Sequence, residues 1–200
     1  IVSTNASDLD IDNPPSNDAT RWRPYWPEVS YARYAYISGA WRYTNNTTTT
    51  GSKVQTACPQ PARLFGEMTK SAFTAYANAL SPTGGTYHDI GALWGARLSS
   101  PTGIFAANVN EAAPNNGFVS RHVIFMTDGI LDPGPVYYST YGVEIHDLRV
   151  SDDGTDAQQV ARHNSRFKAV CAAVRAKGIR LWVVAFATAL NDDLKACASP

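Results

Sequence analysis

Arg121-His122-Val123-Ile124-Phe125-Met126-Thr127-Asp128-Gly129 decides the reading of this chain. Four consecutive apolar residues, Val123 to Met126, stop at Thr-Asp-Gly, where glycine permits the turn that ends a buried strand. The pattern delivers one carboxylate, Asp128, to the C-terminal end of a sheet strand. In open α/β sheets ligands bind outside the carboxyl ends of the strands, so Asp128 is a site candidate. The same Asp-Gly pair also serves as a plain turn.

Upstream, Gly84-Gly-Thr-Tyr-His-Asp-Ile-Gly91 hands a glycine pair into a helix with Thr86 at its mouth. A hydroxyl there is either an ordinary helix N-cap or a ligand for a hard cation. Magnesium and manganese take oxygen donors in near-octahedral array and keep part of their water shell for exchange. Thr86 and Asp128 are the two oxygens on offer. His88 and Asp89 beside them are candidates for support of that site or for facing a ligand, and solvation at the helix N-terminus is their plainer reading.

Composition narrows the classes of partner. Lys plus Arg and Asp plus Glu balance at 17 each, so no global field favours nucleic acid or an anionic membrane surface, and recognition must come from a local site. Nucleic acid is not an expected partner, since Arg21 and Arg23 beside Trp22 and Trp26 make a thin basic footprint. The run from Leu181 to Leu190 is about half the length that spans a bilayer. The chain starts at Ile1 and stops just after what reads as the opening of a helix, so we expect an excised piece of a longer protein, truncated at both ends of its fold.

Along the chain, residues 1–56 are rich in Asn, Thr and Pro with an aromatic cluster and no helical period, and read as an irregular insertion or subdomain. Within it, the stretch from Tyr34 to Tyr43 predicts a hairpin turning at Ser38-Gly39. Residues 57–200 read as α/β. Thr69 caps a helix over 70–80 whose Phe73, Tyr76, Ala77 and Leu80 form one stripe. A second helix over 89–98 places Ile90, Leu93, Trp94 and Leu98 on its packed face.

A loop with Tyr137, Tyr138 and Tyr141 follows Asp128, and the stretch 141–150 reads as a short strand or ordered insertion. Asp152 to Asp156 lacks the spacing of a calcium loop and reads as a turn with a helix cap at Asp156. The next helix, over 157–177, carries Phe167, Val170, Cys171 and Val174 as its stripe and Gly178 just past its end. A fully buried strand over 179–187 completes a largely parallel sheet covered on both faces. Cys171 and Cys197 lie on either side of that strand, either as a disulfide or as two buried thiols. A bridge there would stabilise the fold by about 3 kcal/mol in the chain-entropy account.

The set Gly84 to Gly91, Trp94 to Phe105, Ile124 to Gly129 and Lys177 to Phe186 resembles the von Willebrand factor A-like domain. It is similar to the bacterial form at the C-terminal end of tight-adherence (Flp) pilus assembly proteins of the TadG type. The resemblance implies a doubly wound, mainly parallel sheet flanked by helices, a Rossmann-like arrangement. Thr86 and Asp128 take the second and third positions of that family's metal-ion-dependent adhesion site, with Mg²⁺ or another divalent cation as cofactor. It also implies an extracytoplasmic domain anchored to the inner membrane, binding a protein partner such as a pilus or envelope component, with no catalysis. Gly129 and Tyr137 would face that ligand. The family's first metal motif, Asp-x-Ser-x-Ser, is missing from these 200 residues, since Asp8, Asp10 and Asp12 alternate without the serines. Either the motif lies upstream of Ile1 in a longer parent, the favoured reading, or this member has lost it and binds no ion; the isolated chain is therefore expected to bind metal poorly or not at all.

Two rival readings stand beside this one. A metal-dependent hydrolase on a similar sheet has Asp128 in its favour, but the chain has no Gly-x-Ser-x-Gly elbow and no phosphate loop, and His122, His146 and His163 fall in unrelated places. A purely structural interaction domain would use the aromatic region of 1–56.

Overall fold

Two parallel strands form side by side, and the longest helix of the chain connects them. The computed structural model describes residues 6–24, 33–45, 60–82, 84–113, 115–152 and 155–200. In chain order these are a 3-10 turn Ser7–Leu9, β1 Arg33–Ile37, β2 Ala40–Asn45, α1 Lys70–Asn78, α2 His88–Ser99, α3 Ala106–Val109, β3 His122–Thr127, β4 Tyr138–Ser139, β5 Gly142–Val143, α4 Glu144–Asp147, α5 Asp156–Ala176, β6 Arg180–Ala185 and α6 Asp192–Cys197. The described strands make three two-stranded sheets, of which only β3–β6 is parallel. The result is a mixed α/β fold with a small parallel sheet flanked by helices.

α5 forms because one face is apolar throughout its C-terminal half: Phe167, Val170, Cys171 and Val174 are all buried. Its N-cap is Thr155, whose side chain accepts from the Gln158 amide at 3.3 Å, so the cap falls one residue before the expected Asp156. Gly178 follows the helix with φ 71°. In α2 the buried face is Asp89, Ala92, Leu93, Ala96 and Arg97. The expected face shared only Leu93 with it, because polar Asp89 and Arg97 turn inward and rotate the helix about its axis. α5, α2 and α6 cover one side of the β3–β6 sheet, meeting Val123, Phe125, Leu181 and Val183 in a single core. Within that core Cys171 and Cys197 form a disulfide that fixes α6 against α5.

The other side of the sheet departs from expectation. β3 and β6 were to be buried on both faces, yet Ile124 and Met126 are each 62% exposed and Trp182 is 48% exposed. β6 is also shorter than the expected 179–187. α1 begins at the predicted Thr69 cap, where Thr69 Oγ1 accepts from the Ala72 amide at 3.2 Å, but none of its residues is buried, so its apolar stripe meets no core.

The N-terminal segment belongs to the α/β unit. Ile11 enters the core, Ser100 Oγ donates to Asp12 Oδ1 at 2.5 Å, and Lys177 pairs with Asp12. Trp22 packs edge-on against Trp94, centroids 5.6 Å apart. Residues 6–24, assigned by composition to an insertion over 1–56, are thus built into the layer over α2 and α5. The predicted hairpin is present as β1–β2, with Ser38 and Gly39 at φ 52° and 81°, the primed turn that suits strand twist. The rest of the aromatic cluster, Tyr25, Trp26 and Tyr31, falls outside the described residues.

Opening the 26-residue separation between Cys171 and Cys197 removes a constraint on the unfolded chain. Cys197→Ser is expected to lower the unfolding free energy by about 3 kcal/mol in urea titrations without reductant. Equal stability of the variant and the oxidised parent would contradict the assignment of the bridge as a structural staple. Phe167→Ala, at the centre of the core, is expected to cost about 3–5 kcal/mol in the same measurement.

Candidate functional site

The turns that follow β3 and precede α2 meet at the C-terminal end of the sheet. Asp128 lies just past β3 and is exposed. Thr86 pairs with Asp132 in an isolated antiparallel bridge, the Asp132 amide donating to the Thr86 carbonyl at 2.9 Å. Directly opposed residues of such a bridge carry their side chains on one face, so Thr86 and Asp132 stand beside each other. The Thr86 hydroxyl lies 3.8 Å from where Gly129 would carry a Cβ, which brings the Thr86 and Asp128-Gly129 turns to one rim. Thr86 is not the helix cap: Tyr87 occupies that position and makes no side-chain capping bond.

Tyr137 closes one side of this rim. A Cβ on Gly85 would lie 2.8 Å from the Tyr137 ring and one on Gly134 2.5 Å, so both positions admit only glycine. Asp156, at the start of α5, has its carboxyl pushed up, first by partial burial and then by the negative charge of Asp132. The rim is therefore acidic and oxygen-rich. Among the described residues no group of three or more His, Cys, Asp or Glu side chains is placed to hold a metal ion.

His88 and Asp89 depart from their expected place in solvent. His88 is buried, with Nε2 3.2 Å from Thr127 Oγ1 and its ring edge-on to Phe125. Thr127 Oγ1 in turn donates to the Gly129 carbonyl at 3.1 Å and accepts from its amide at 3.3 Å. His88 thus fixes the turn that carries Asp128, from beneath. Burial pushes its pKa down, against the nearby charge of Asp89.

Asp89 is fully buried and forms the centre of a network that sequence reasoning missed. Its Oδ2 accepts from His163 Nδ1 at 2.8 Å, Arg166 Nε at 3.1 Å and the Tyr141 hydroxyl at 3.2 Å. Arg166 also donates to Asp8 Oδ2 at 2.6 Å and to the Tyr141 hydroxyl at 3.1 Å. Asp8, Asp89, Tyr141, His163 and Arg166 are all at most 2% exposed. Burial works to raise the Asp89 pKa, but the charges and hydrogen bonds of His163 and Arg166 prevail and hold the carboxyl below its ordinary range. Burial also opposes the charge on Arg166, yet Tyr141, Asp8 and Asp89 outweigh it and hold the guanidinium more firmly charged. The Tyr141 hydroxyl, pushed up by burial and then by Asp89, stays protonated and so can donate.

The signal for this network lay in α5 itself. Gln159, His163 and Arg166 continue the face of Phe167 and Val170 toward the N-terminus at helical spacing, which marks them as inward-facing although they are polar. Nearby, Glu144 Oε1 accepts from the amides of Val150 and Ser151 at 2.7 and 2.6 Å, tying down the loop after α4. Asp89 and Glu144 are buried for structure; neither faces the rim.

No helix among the described residues is long and apolar enough to cross a membrane. The chain matches no family model, and no curated protein or solved structure matches it.

Arg166→Met leaves Asp8 and Asp89 buried without their shared cation and is expected to cost about 3–5 kcal/mol in denaturant unfolding. The pH dependence follows from two lowered pKa values. Asp89 stabilises the fold above its unfolded pKa near 3.8, and that contribution is lost as pH falls through the lower folded value. For His88 the contribution is present above its unfolded pKa near 6.5 and is lost as pH falls from there toward the folded value. Urea midpoints should therefore begin to fall below about pH 6.5, with a shallower slope in His88→Gln. An identical slope in the two proteins would rule out His88 as the titrating group.

Proposed function

We propose that this chain is a non-enzymatic binding domain of the von Willebrand factor A-like kind, in which Thr86 and Asp128 hold a divalent cation that an acidic side chain of a protein partner completes. The observation that carries the reading is the approach of the Thr86 hydroxyl to the Asp128-Gly129 turn at the C-terminal end of a parallel strand. A hydroxyl and a carboxylate are hard oxygen donors, the type magnesium and manganese select. When bound, the ion supplies a positive charge with exchangeable positions at which a ligand oxygen replaces water.

The chain's own residues do the rest. His88 and Thr127 hold the turn that offers Asp128 to solvent, and Tyr137, 42% exposed on its glycine bed, gives the rim an aromatic wall against which a partner packs. Gly129 carries no side chain, so a ligand can approach its backbone closely. Two protein oxygens leave most of an octahedral shell to water, so binding by this chain alone is weak. The doubly wound topology, the partner as a pilus or envelope component, and an extracytoplasmic domain whose parent is membrane-anchored follow from the same resemblance. The Cys171–Cys197 disulfide supports the compartment, because such bonds persist where the surroundings are oxidising.

Calorimetric titration with Mn²⁺ is the test. The chain is expected to bind with a dissociation constant on the order of 1 mM, and Asp128→Ala is expected to weaken binding about tenfold or more, with a smaller effect for Thr86→Ala. Titrations indistinguishable between the parent and Asp128→Ala would remove Asp128 from the site and the reading with it.

A further inference from the structure

The acids at the rim have no cation beside them. Asp12, Asp147, Asp152 and Asp193 each stand against a Lys or Arg, whereas Asp128, Asp132 and Asp156 meet no such group among the described residues. Asp132 is close enough to Asp156 for its charge to oppose ionisation there. Like charges at this range repel, and a cation beside them removes the repulsion.

The backbone fixes where Asp132 stands. Its amide donates to the Thr86 carbonyl at 2.9 Å, and the bridge between the two residues sets the Asp132 carboxyl beside the Thr86 hydroxyl. The Asp132 carbonyl lies 2.7 Å from where Gly85 would carry a Cβ, so only glycine lets the two loops lie this close. On its other side the Thr86 hydroxyl faces Gly129, the neighbour of Asp128. Thr86 is therefore flanked by the turns that carry two carboxylates. Neither its hydroxyl nor either carboxyl hydrogen-bonds another described residue.

A second observation points beneath the same rim. Gln159 is wholly buried, yet neither Oε1 nor Nε2 has a hydrogen-bond partner. Helical side chains lean toward the N-terminus, so its amide reaches toward Asp156, one turn earlier on the same face of α5. One turn later on that face, His163 packs edge-on against Tyr87, the neighbour of Thr86, with centroids 5.1 Å apart. An enclosed amide with both ends unpaired is costly, and an ordered water satisfies it.

We propose that Asp132 is the third protein oxygen on the rim cation, beside Thr86 and Asp128, with Asp156 and Gln159 holding the ion's water from below. The inference rests on the reading of the rim as a divalent-cation site and supplies a ligand which that reading lacks. Two carboxylates match the charge of a divalent ion, which Asp128 alone does not, and three protein oxygens leave half of an octahedral shell for water and for a partner's acid. Asp156 stays outside that shell, since the three acids do not converge on one point.

The test combines Mn²⁺ calorimetry with Tb³⁺ luminescence on the whole chain. Tb³⁺ is a hard, oxygen-seeking ion whose lifetimes in H₂O and D₂O count the waters it keeps. Asp132→Ala is expected to weaken Mn²⁺ binding about tenfold or more and to leave bound Tb³⁺ with about one additional water. Asp156→Asn and Gln159→Leu are expected to weaken binding without changing that count. Asp132 is exposed, so the circular dichroism spectrum of Asp132→Ala in EDTA should match the parent. Binding that needs Asp128 but is indifferent to Asp132→Ala, or a water count unchanged in that variant, would overturn this inference alone. A count raised by Asp156→Asn would make Asp156 a direct ligand and overturn the assignment. A parent chain that takes up no Mn²⁺, or whose binding ignores Asp128→Ala, would defeat the reading of the rim itself and this inference with it.

Discussion

The shared contact of Arg166 with Asp89 and Asp8 is the constraint on which the architecture depends. A carboxylate buried alone costs several kcal/mol even after relaxation, so Asp89 can occupy the first turn of α2 only if donors reach it. Those donors come from α5 through His163 and Arg166, and from the loop before β5 through Tyr141. Arg166 then extends the same charge balance to Asp8 in the N-terminal segment. Four pieces of chain far apart in sequence are thereby fixed at one point, and none can shift without leaving a buried charge unpaired. Such a network adds less to net stability than an apolar cluster would, but it specifies one arrangement of these elements.

The rim at the end of β3 inherits that rigidity. His88 and Asp89 are neighbours on α2, about 100° apart around the helix, so one reaches Thr127 while the other reaches α5. The helix that is locked by the buried charge is thus the helix that supports the Asp128 turn. Tyr137 on Gly85 and Gly134 closes the opposite side through shape alone, because no side chain fits beneath its ring. A rim built from loops gains its definition from such supports.

The two faces of the parallel sheet follow different rules. One meets α2, α5 and α6 in the disulfide-closed core, and the other presents Ile124, Met126, Trp182, Val184 and Phe186 to solvent. Ser199 caps the β6 edge through both backbone groups of Leu181.

Local pattern in the sequence was enough to determine the hairpin at Ser38-Gly39, the Thr69 cap, the apolar face of α5 with Gly178 past its end, and the strand that ends before Asp128. Each of these depends on residues within one or two turns of each other, where period and backbone preference decide. Tertiary structure alone decided that Asp89 and His88 turn inward, that His163 and Arg166 extend an apolar stripe as buried ions, and that Asp8 is their partner. A polar residue is buried or solvated according to whether a counter-charge stands within hydrogen-bond reach, and that reach here spans up to 158 residues. The burial of one sheet face and exposure of the other likewise escaped the sequence, since Ile124 and Phe125 are equally apolar and only the position of the helices separates them.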